Sequence, residues 1–169
     1  MAFTYIQIPN PLFGFYQMLE AAKIVDNALG SGYFNEHLKE IECGWACFHA
    51  DSVVAWAAVS TERHKYAPSI GCLKCVAVDP LFRGNGIGRK LTEMRLNYLT
   101  KDDQHCFLIF ADAWVRPSGY CASCGTLEHF GFKIHEEIHE HYSNLNHKCP
   151  ACKGKCKCTA RRYIKINQR

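Results

Sequence analysis

The stretch VAVDPLFRGNGIGRK at residues 76–90 decides the fold predicted for this chain of 169 residues. It opens with alternating apolar residues typical of a strand end, and Asp79-Pro80 ends the strand because proline lacks a backbone N–H. A helix is predicted to begin at glycines that recur at alternate positions, which are Gly84, Gly86 and Gly88. Glycines at such a turn let the backbone approach a ligand, and the first N–H groups of a helix attract anions. The stretch therefore predicts a phosphate site.

The spacing of the glycines excludes two common nucleotide sites. A dinucleotide fingerprint needs G-x-G-x-x-G and a P-loop needs G-x-x-x-x-G-K-[ST], and RGNGIG at residues 83–88 fits neither. Together with the preceding V-x-V and Asp-Pro, it resembles the R/Q-x-x-G-x-G/A signature of the GNAT acetyltransferase superfamily. A later segment, LEHFGF at residues 127–132, resembles the L-Y-E-x-x-G-F segment of the same family. A glycine turn without a ligand is the competing interpretation.

Hydrophobic periodicity predicts an order of elements that is similar to the order in this family. Helices are predicted at residues 12–29, 33–41, 87–98 and 120–130, and strands at 43–50, 52–60, 70–78, 106–115, 132–142 and 159–166. The strand, helix and strand around the glycine turn predict two parallel neighbouring strands. The resemblance implies an α/β (α+β) GNAT fold in a single domain over residues 1–169. Its mixed sheet is expected to have six or seven strands, with splayed fourth and fifth strands and about four helices.

The resemblance also implies acetyl-CoA as co-substrate and an amine as acceptor. A strand edge is expected to bond the pantetheine arm like an added strand, and the N–H groups of the glycine turn are expected to hold the pyrophosphate. The implied cofactor-binding residues are Val76, Ala77, Val78, Arg83, Gly84, Asn85, Gly86, Ile87, Gly88 and Arg89. The amine of a small molecule or a protein then attacks the thioester directly in a ternary complex. A backbone N–H near Val76 is expected to stabilise the oxyanion.

The catalytic side chains follow the family pattern less closely. Many GNAT members protonate the leaving thiolate with a tyrosine on the fourth helix, and Leu127 stands at that position here. Tyr120 is the nearest substitute, with simple packing as the alternative. Asp112 is the nearest carboxylate on the fifth strand and the predicted general base, with a structural strand-end aspartate as the alternative. Cys72 stands where some relatives have a glutamate, so a base acting through water also stays open.

Six of the eleven cysteines are grouped among polar residues, in the patterns C-x2-C and C-x2-C-x3-C-x-C. Zn²⁺ prefers tetrahedral sets of thiolates, and the topology that the resemblance implies brings the two groups to one end of the sheet. The second group belongs to a cysteine-rich loop at 147–158, inserted before the final strand. The predicted structural zinc site consists of Cys121, Cys124, Cys149 and Cys152, with Cys156, Cys158 and His147 as substitutes or as part of a second site. A reduced or redox-labile thiol cluster without metal is the alternative.

The formal charge of +4 is concentrated at the C-terminus, where residues 147–169 include eight basic and no acidic side chains. This pattern offers an alternative function, a zinc-bearing nucleic-acid-binding module on a GNAT scaffold, whereas the intact glycine turn favours an enzyme. A redox-regulated acetyltransferase without metal is a third hypothesis. No stretch approaches the roughly 20 apolar residues of a membrane span, and no export signal is present. We therefore expect a cytoplasmic monomer or homodimer with no membrane or nucleic-acid partner.

Overall fold

The computed structural model describes residues 2–9, 14–64, 67–101, 106–144 and 148–167, and these form a seven-stranded sheet with helices on both faces. The strands are β1 (Thr4–Ile8), β2 (Cys43–His49), β3 (Ser52–His64), β4 (Ala67–Val78), β5 (Leu108–Val115), β6 (Lys133–Ile138) and β7 (Thr159–Ile166). The helices are α1 (Phe15–Leu29), α2 (Tyr33–His37), α3 (Ile87–Leu99) and α4 (Cys124–His129). Short 3₁₀ turns cover Leu38–Glu40, Pro80–Phe82 and His141–Asn144.

The strands lie in the order β1-β2-β3-β4-β5-β7-β6. Neighbours pair antiparallel except β4 and β5, which are parallel and are connected through α3. Strand β7 lies between β5 and β6, so the connection from β5 through α4 to β6 passes over the position of β7, and β6 and β7 are antiparallel neighbours. The predicted mixed sheet and the four helices are confirmed.

The parallel strands β4 and β5 separate partway along their length. They pair only over residues 70–72 of β4 and 108–110 of β5, whereas β4 continues beside β3 to Val78 and β5 continues beside β7 to Val115. The space between residues 73–78 and 111–115 is called the gap below. The splay expected from the family resemblance is therefore present, and the gap opens toward the glycine turn that follows β4.

Side chains from the sheet are buried on two faces. On one face, Trp45 and Ile109 pack with Leu91 of α3 and with α4, and on the other Trp56 packs with Val25 of α1. We call these the α3 face and the α1 face. Successive side chains of β5 alternate between them because a strand has a two-residue period. Its odd-numbered residues from 109 to 115 belong to the α3-face core, and Trp114 lies on the opposite face.

A fully enclosed arginine joins α3 to β4 beside the gap. Arg95 is 2% exposed, and its guanidinium donates to the carbonyl of Lys74 at 2.9 Å and to Thr92 Oγ1 at 3.0 Å. Burial lowers the pKa of Arg95 to about 10, so the side chain is still a cation at neutral pH. The contact fixes the distance between the helix and the free edge of β4.

Several element boundaries differ from the predicted ones. The sequence pattern gave no strand at Thr4–Ile8, which pairs along β2 as an edge strand. The helix predicted at 120–130 covers only Cys124–His129 because the chain before it pairs back with the end of β5: Cys121 forms a β-bridge with Val115, and the carbonyl of Tyr120 accepts from the N–H of Arg116. The strand predicted at 132–142 ends at Ile138, and a 3₁₀ turn follows. The changes to the predicted helix and to the predicted strand at 132–142 shorten the two elements that lie near the end of β5.

Candidate active site

The free edge of β4 presents backbone groups to the gap. The carbonyl of Lys74 accepts from Arg95, and the carbonyl of Val78 accepts from Arg83 Nε at 3.1 Å. The N–H of Asp79 instead bonds Val54 in β3 at 2.9 Å. Because residues two apart on a strand present their backbone groups to the same side, the N–H and C=O of Val76 face the gap. An extended chain placed there could pair with Val76.

The glycine turn after β4 is held in one conformation by short-range hydrogen bonds. Asp79 Oδ1 accepts from the N–H of Leu81 at 2.9 Å, and Asn85 Nδ2 donates to the carbonyl of Phe82 at 3.0 Å. Gly84 and Gly86 have φ of +82° and +76°, in the left-handed region that favours glycine. A Cβ at either position would have no heavy atom within 4 Å. The outer side of the turn is therefore open to a ligand.

The turn leads directly into the N-terminus of α3. Ile87 is 2% exposed and anchors the first turn in the core, while Arg83 and Arg89 are exposed on either side. The bond from Lys90 N–H to the carbonyl of Gly86, at 3.0 Å, is the first of the helical ladder. The N–H groups before Lys90 have no acceptor within the helix, and their partial positive charge suits an anion. The structure thus places the predicted residues 76–78 and 83–89 along one continuous path.

A charged cluster lies on the α1 face of the sheet beside the gap. Both carboxylate oxygens of Asp112 accept from Arg162, at 2.8 and 2.9 Å, and Arg162 also bonds Glu136 Oε1 at 2.9 Å. The bonds to Asp112 raise the pKa of Arg162 further above its usual range. Across the gap, Lys74 Nζ bonds Glu40 Oε2 at 2.6 Å. Burial alone would lower the pKa of Lys74, but this bond and nearby acids outweigh it and raise the pKa.

Neutral groups occupy the space between these charges. Cys72 is 8% exposed, and burial raises the pKa of its thiol to about 12, so it is uncharged at neutral pH. Burial likewise raises the pKa of Tyr33 and of Tyr142, and the charge of Asp112 adds to the shift at Tyr142. A neutral thiol is a poor base, so Cys72 does not supply the function of the glutamate that some relatives have at this position, and a base acting through water stays a prediction. The sequence pattern did not single out Tyr33 or Tyr142, because Tyr33 stands at the start of a predicted helix and Tyr142 at the end of a predicted strand, where an aromatic residue indicates packing.

The sequence matches the family described as Acetyltransferase (GNAT) family over residues 12–132. The chain belongs to the GNAT acetyltransferase family. This family membership agrees with the splayed strands and the glycine turn, and it establishes the chain as a member of a family of acetyl-CoA-dependent acetyltransferases. No curated protein gives a significant match to the sequence.

Solved structures share the whole fold of this GNAT chain. A chain of the NatC complex bound to Gag peptide and CoA has a TM-score of 0.73 at 20% identity, with 99% of this chain and 100% of that chain covered. Arabidopsis thaliana Naa50 in complex with the bisubstrate analogue CoA-Ac-MVNAL has a TM-score of 0.67 at 17% identity, with coverage of 98% and 99%. A GNAT family acetyltransferase from Elizabethkingia anophelis with acetyl-CoA bound has a TM-score of 0.65 at 11% identity, with 98% of each chain covered.

The two predicted catalytic residues of this GNAT chain lie at different places around β5. Asp112 is in the middle of β5 in the ion pair with Arg162, and its role as a base stays a prediction. Tyr120 is 54% exposed in the turn after β5, with the Arg116 guanidinium 5.4 Å from its ring centroid. Leu127, at the position where many relatives have tyrosine, is 4% exposed in the α3-face core. Tyr120 as an acid also stays a prediction.

The predicted ligand set Cys121, Cys124, Cys149 and Cys152 is not assembled. Cys121 and Cys124 form a disulfide with each other and pack with the α3-face core. Cys149 and Cys152 lie instead with Cys156 and Cys158, in a cluster with Trp114. The reason is that successive side chains of β5 point to opposite faces of the sheet. Val115 packs with the disulfide pair on the α3 face, and Trp114 packs with the four-cysteine cluster on the opposite face. His147 lies outside the described residues.

None of the helices in the described ranges is both long and apolar enough to cross a membrane.

Proposed function

We propose that this chain is an N-acetyltransferase that moves the acetyl group of acetyl-CoA to a primary amine. The observation that carries the proposal is the continuous path from the free edge of β4, through the glycine turn, to the N-terminus of α3. Within residues 76–78, Val76 offers strand-like hydrogen bonds on this path, and residues 83–89 offer N–H groups and exposed arginines. An extended arm that ends in a diphosphate matches both halves of this path.

Direct attack is the mechanism that these residues support. The thioester would lie in the gap, where the N–H of Val76 can donate to the oxygen that becomes negative when the amine nitrogen bonds to the carbonyl carbon. The C–S bond then breaks, the nitrogen loses its proton, and the thiolate of CoA takes up a proton. Cys72, held as a neutral thiol by burial, has no place as a covalent acetyl carrier in this scheme. The acetyl group therefore moves in one transfer within a ternary complex.

A polypeptide amine is the acceptor that we propose, with a small-molecule amine as the alternative. The α1 face of the gap lies between the turn from α1 to α2 and the 3₁₀ turn that follows β6, and its two carboxylates, Glu40 and Asp112, are paired with Lys74 and Arg162. The NatC structure contains a peptide, and the Naa50 structure contains a peptide linked to CoA. These folds support a peptide-sized acceptor at the corresponding face here.

The structure bears on the sequence-based hypothesis of a nucleic-acid partner. Arg161 and Arg162 form ion pairs with Glu137, Glu136 and Asp112, so two of the C-terminal cations are already neutralised. This weighs against nucleic acid as the partner.

Zinc, if held by four cysteines, would have no open coordination position. Its contribution would therefore be structural, and acetyl transfer would use no metal.

Incubation with acetyl-CoA and amines tests the proposed activity. Purified protein is mixed with acetyl-CoA and either a set of peptides that differ in their first residues or a set of polyamines. Released CoA thiol and the acceptor mass are then measured. We expect thiol release together with one added acetyl group on a peptide amine. Transfer only to polyamines would assign a small-molecule acceptor, and tight CoA binding without transfer to any amine would contradict the proposal.

Asp112→Asn tests the predicted general base. Loss of a base flattens the dependence of kcat/KM on pH, whereas loss of a partner for Arg162 lowers stability by about 1 to 3 kcal/mol and leaves the shape of that profile unchanged. We expect the second result, because both oxygens of Asp112 already accept from Arg162. Glu136→Gln is the matched control, because it removes the other carboxylate that accepts from Arg162, on the exposed side of the guanidinium. A flattened profile for Asp112→Asn alone would assign Asp112 as the base.

A further inference from the structure

We infer that Cys149, Cys152, Cys156 and Cys158 form a structural site for one Zn²⁺ ion that fixes one wall of the acceptor pocket, the name used below for the α1 face of the gap between residues 30–34 and residues 141–144. The four thiols come from a single turn-rich segment between β6 and β7, and they are four free cysteines. Cys156 and Cys158 are 5% and 0% exposed. This site shares only two residues with the set predicted from the sequence, and all four of its members lie on one side of the sheet.

The separation of the sulfur atoms fits a tetrahedron around one zinc ion. All four Sγ atoms lie within 4.8 Å of one another, and the Cys149–Cys158 and Cys152–Cys158 pairs are each 3.7 Å apart. With Zn–S bonds of about 2.3 Å, the edge of a regular tetrahedron is about 3.8 Å. These two separations therefore match the spacing that the ion would impose. One small ion fits this set, whereas an iron–sulfur cluster needs room for inorganic sulfide between its metals.

Backbone amides around the cluster point at the sulfur atoms. The N–H groups of Ala151, Lys157 and Cys158 lie 3.4 Å from the Sγ atoms of Cys149, Cys152 and Cys156 respectively. Donation of this kind stabilises thiolates, and thiolates are the form in which cysteine binds zinc. Four thiolates and Zn²⁺ have a net charge of −2. Four lysines are interspersed with these cysteines in the sequence and offset part of this charge: Lys148, Lys153, Lys155 and Lys157. One of them, Lys155, also pairs with Glu140.

The cluster packs against the elements that border the acceptor face. Cys149, Cys156 and Cys158 belong to the same buried group as Tyr142 and Trp114, whose ring centroids are 4.8 Å apart. Trp114 comes from β5, two residues after Asp112. The ion would therefore hold the 3₁₀ turn that contains Tyr142 against the end of β5.

A second contact links the segment to the other side of the pocket. Ser31, in the turn between α1 and α2, forms an isolated β-bridge with Lys148, directly before the first ligand. That turn leads into Tyr33, a half-buried tyrosine on the opposite side of the pocket. The zinc site thus joins the loop after β6 to the turn after α1. This role in the acceptor pocket rests on the proposed function, whereas the metal site itself does not.

Metal content tests the site without reference to activity. Full-length protein purified under reducing, chelator-free conditions is analysed by native mass spectrometry and elemental analysis. We expect about one zinc ion per chain, which the double variant C156S/C158S loses. The matched control C121S/C124S removes the other cysteine pair and should retain zinc. Protein without zinc, iron in its place, or disulfides within the four-cysteine cluster would overturn the assignment.

Replacement of zinc by Co²⁺ in the wild-type protein covers the case in which C156S/C158S does not fold. Tetrahedral thiolate ligands should produce strong visible absorption from the bound Co²⁺. This absorption should survive in the C121S/C124S variant. A weak spectrum typical of oxygen ligands in wild-type protein would contradict the four-thiolate site.

Hydrogen exchange tests the link to the acceptor pocket. Removal of zinc should accelerate exchange by roughly tenfold or more in peptides that contain residues 30–34 and 141–144, while peptides from α3 and the affinity for CoA stay unchanged. Unchanged exchange at residues 30–34 in metal-free protein would reject the pocket role and leave the metal site intact. If exchange responds as expected but no amine is acetylated, the proposed function fails and the link between the loops stands.

Discussion

Gly86→Glu should reduce the affinity for CoA on the order of 10³-fold. The new carboxylate would lie at the N-cap of α3, on the open side of the turn where the diphosphate is expected. Two like charges about 4 Å apart near a protein surface repel by about 4 kcal/mol, and each 1.4 kcal/mol corresponds to a factor of ten. Titration calorimetry with CoA measures the change directly.

The control for this variant must share its backbone strain. Gly86→Gln has nearly the same shape and the same cost of a side chain at φ +76°, but it lacks the charge. We expect Gly86→Gln to bind CoA more tightly than Gly86→Glu by at least tenfold, since the side-chain charge is the main difference. Gly154→Glu places the same charge at a glycine with φ +84° outside the turn and should not change the affinity. Equal affinities for wild type and Gly86→Glu would refute the assignment of the pyrophosphate site.

Arg95→Ala should lower the free energy of unfolding by about 3 to 5 kcal/mol. The substitution opens a cavity where a fully buried side chain stood, and it leaves the carbonyl of Lys74 without its donor. Urea denaturation monitored by circular dichroism gives the change in free energy. Because Lys74 lies in the part of β4 that borders the gap, where the register with β3 shifts, the same variant should also weaken CoA binding.

Two further substitutions separate the causes. Arg95→Met restores most of the volume without a donor, so it should recover part of the loss that the cavity causes. Lys90→Ala, on the exposed face of the same helix, should change stability by no more than about 0.5 kcal/mol, since its ion pair with Glu93 is exposed. A loss below about 1 kcal/mol for Arg95→Ala would show that Arg95 is not a structural link between α3 and β4.

The glycine turn could be predicted because its conformation depends on neighbouring residues in the sequence. Positive φ at Gly84 and Gly86, the Asp79 cap and the start of α3 all depend on residues within one short stretch. Apolar periodicity similarly located most strands of the sheet. The edge strand Thr4–Ile8 was missed because five residues with mixed burial produce little periodic signal.

The cysteine pairing could not be predicted from spacing, since it depends on the side of the sheet that each group reaches. Both groups do lie near the end of β5, where Val115 forms a bridge with Cys121 and pairs with Thr159, next to Cys158. A shift of one residue along β5 changes the face, so nearness along the strand does not decide contact. The partnership of Asp112 with Arg162 likewise depends on the register of β5 and β7, which sequence separation does not reveal.

The gap between β4 and β5 gives this sheet two inner edges in addition to the outer edges at β1 and β6. An unpaired edge lowers the stability of the folded chain where its backbone groups are shielded from water. A ligand that supplies the missing hydrogen bonds takes the place of a strand and removes this cost. Thermodynamic linkage then requires that CoA stabilise the folded chain, by about 2.7 kcal/mol at a free concentration one hundred times its dissociation constant. The melting temperature should therefore rise with coenzyme concentration, and depletion of the coenzyme should leave a less stable protein.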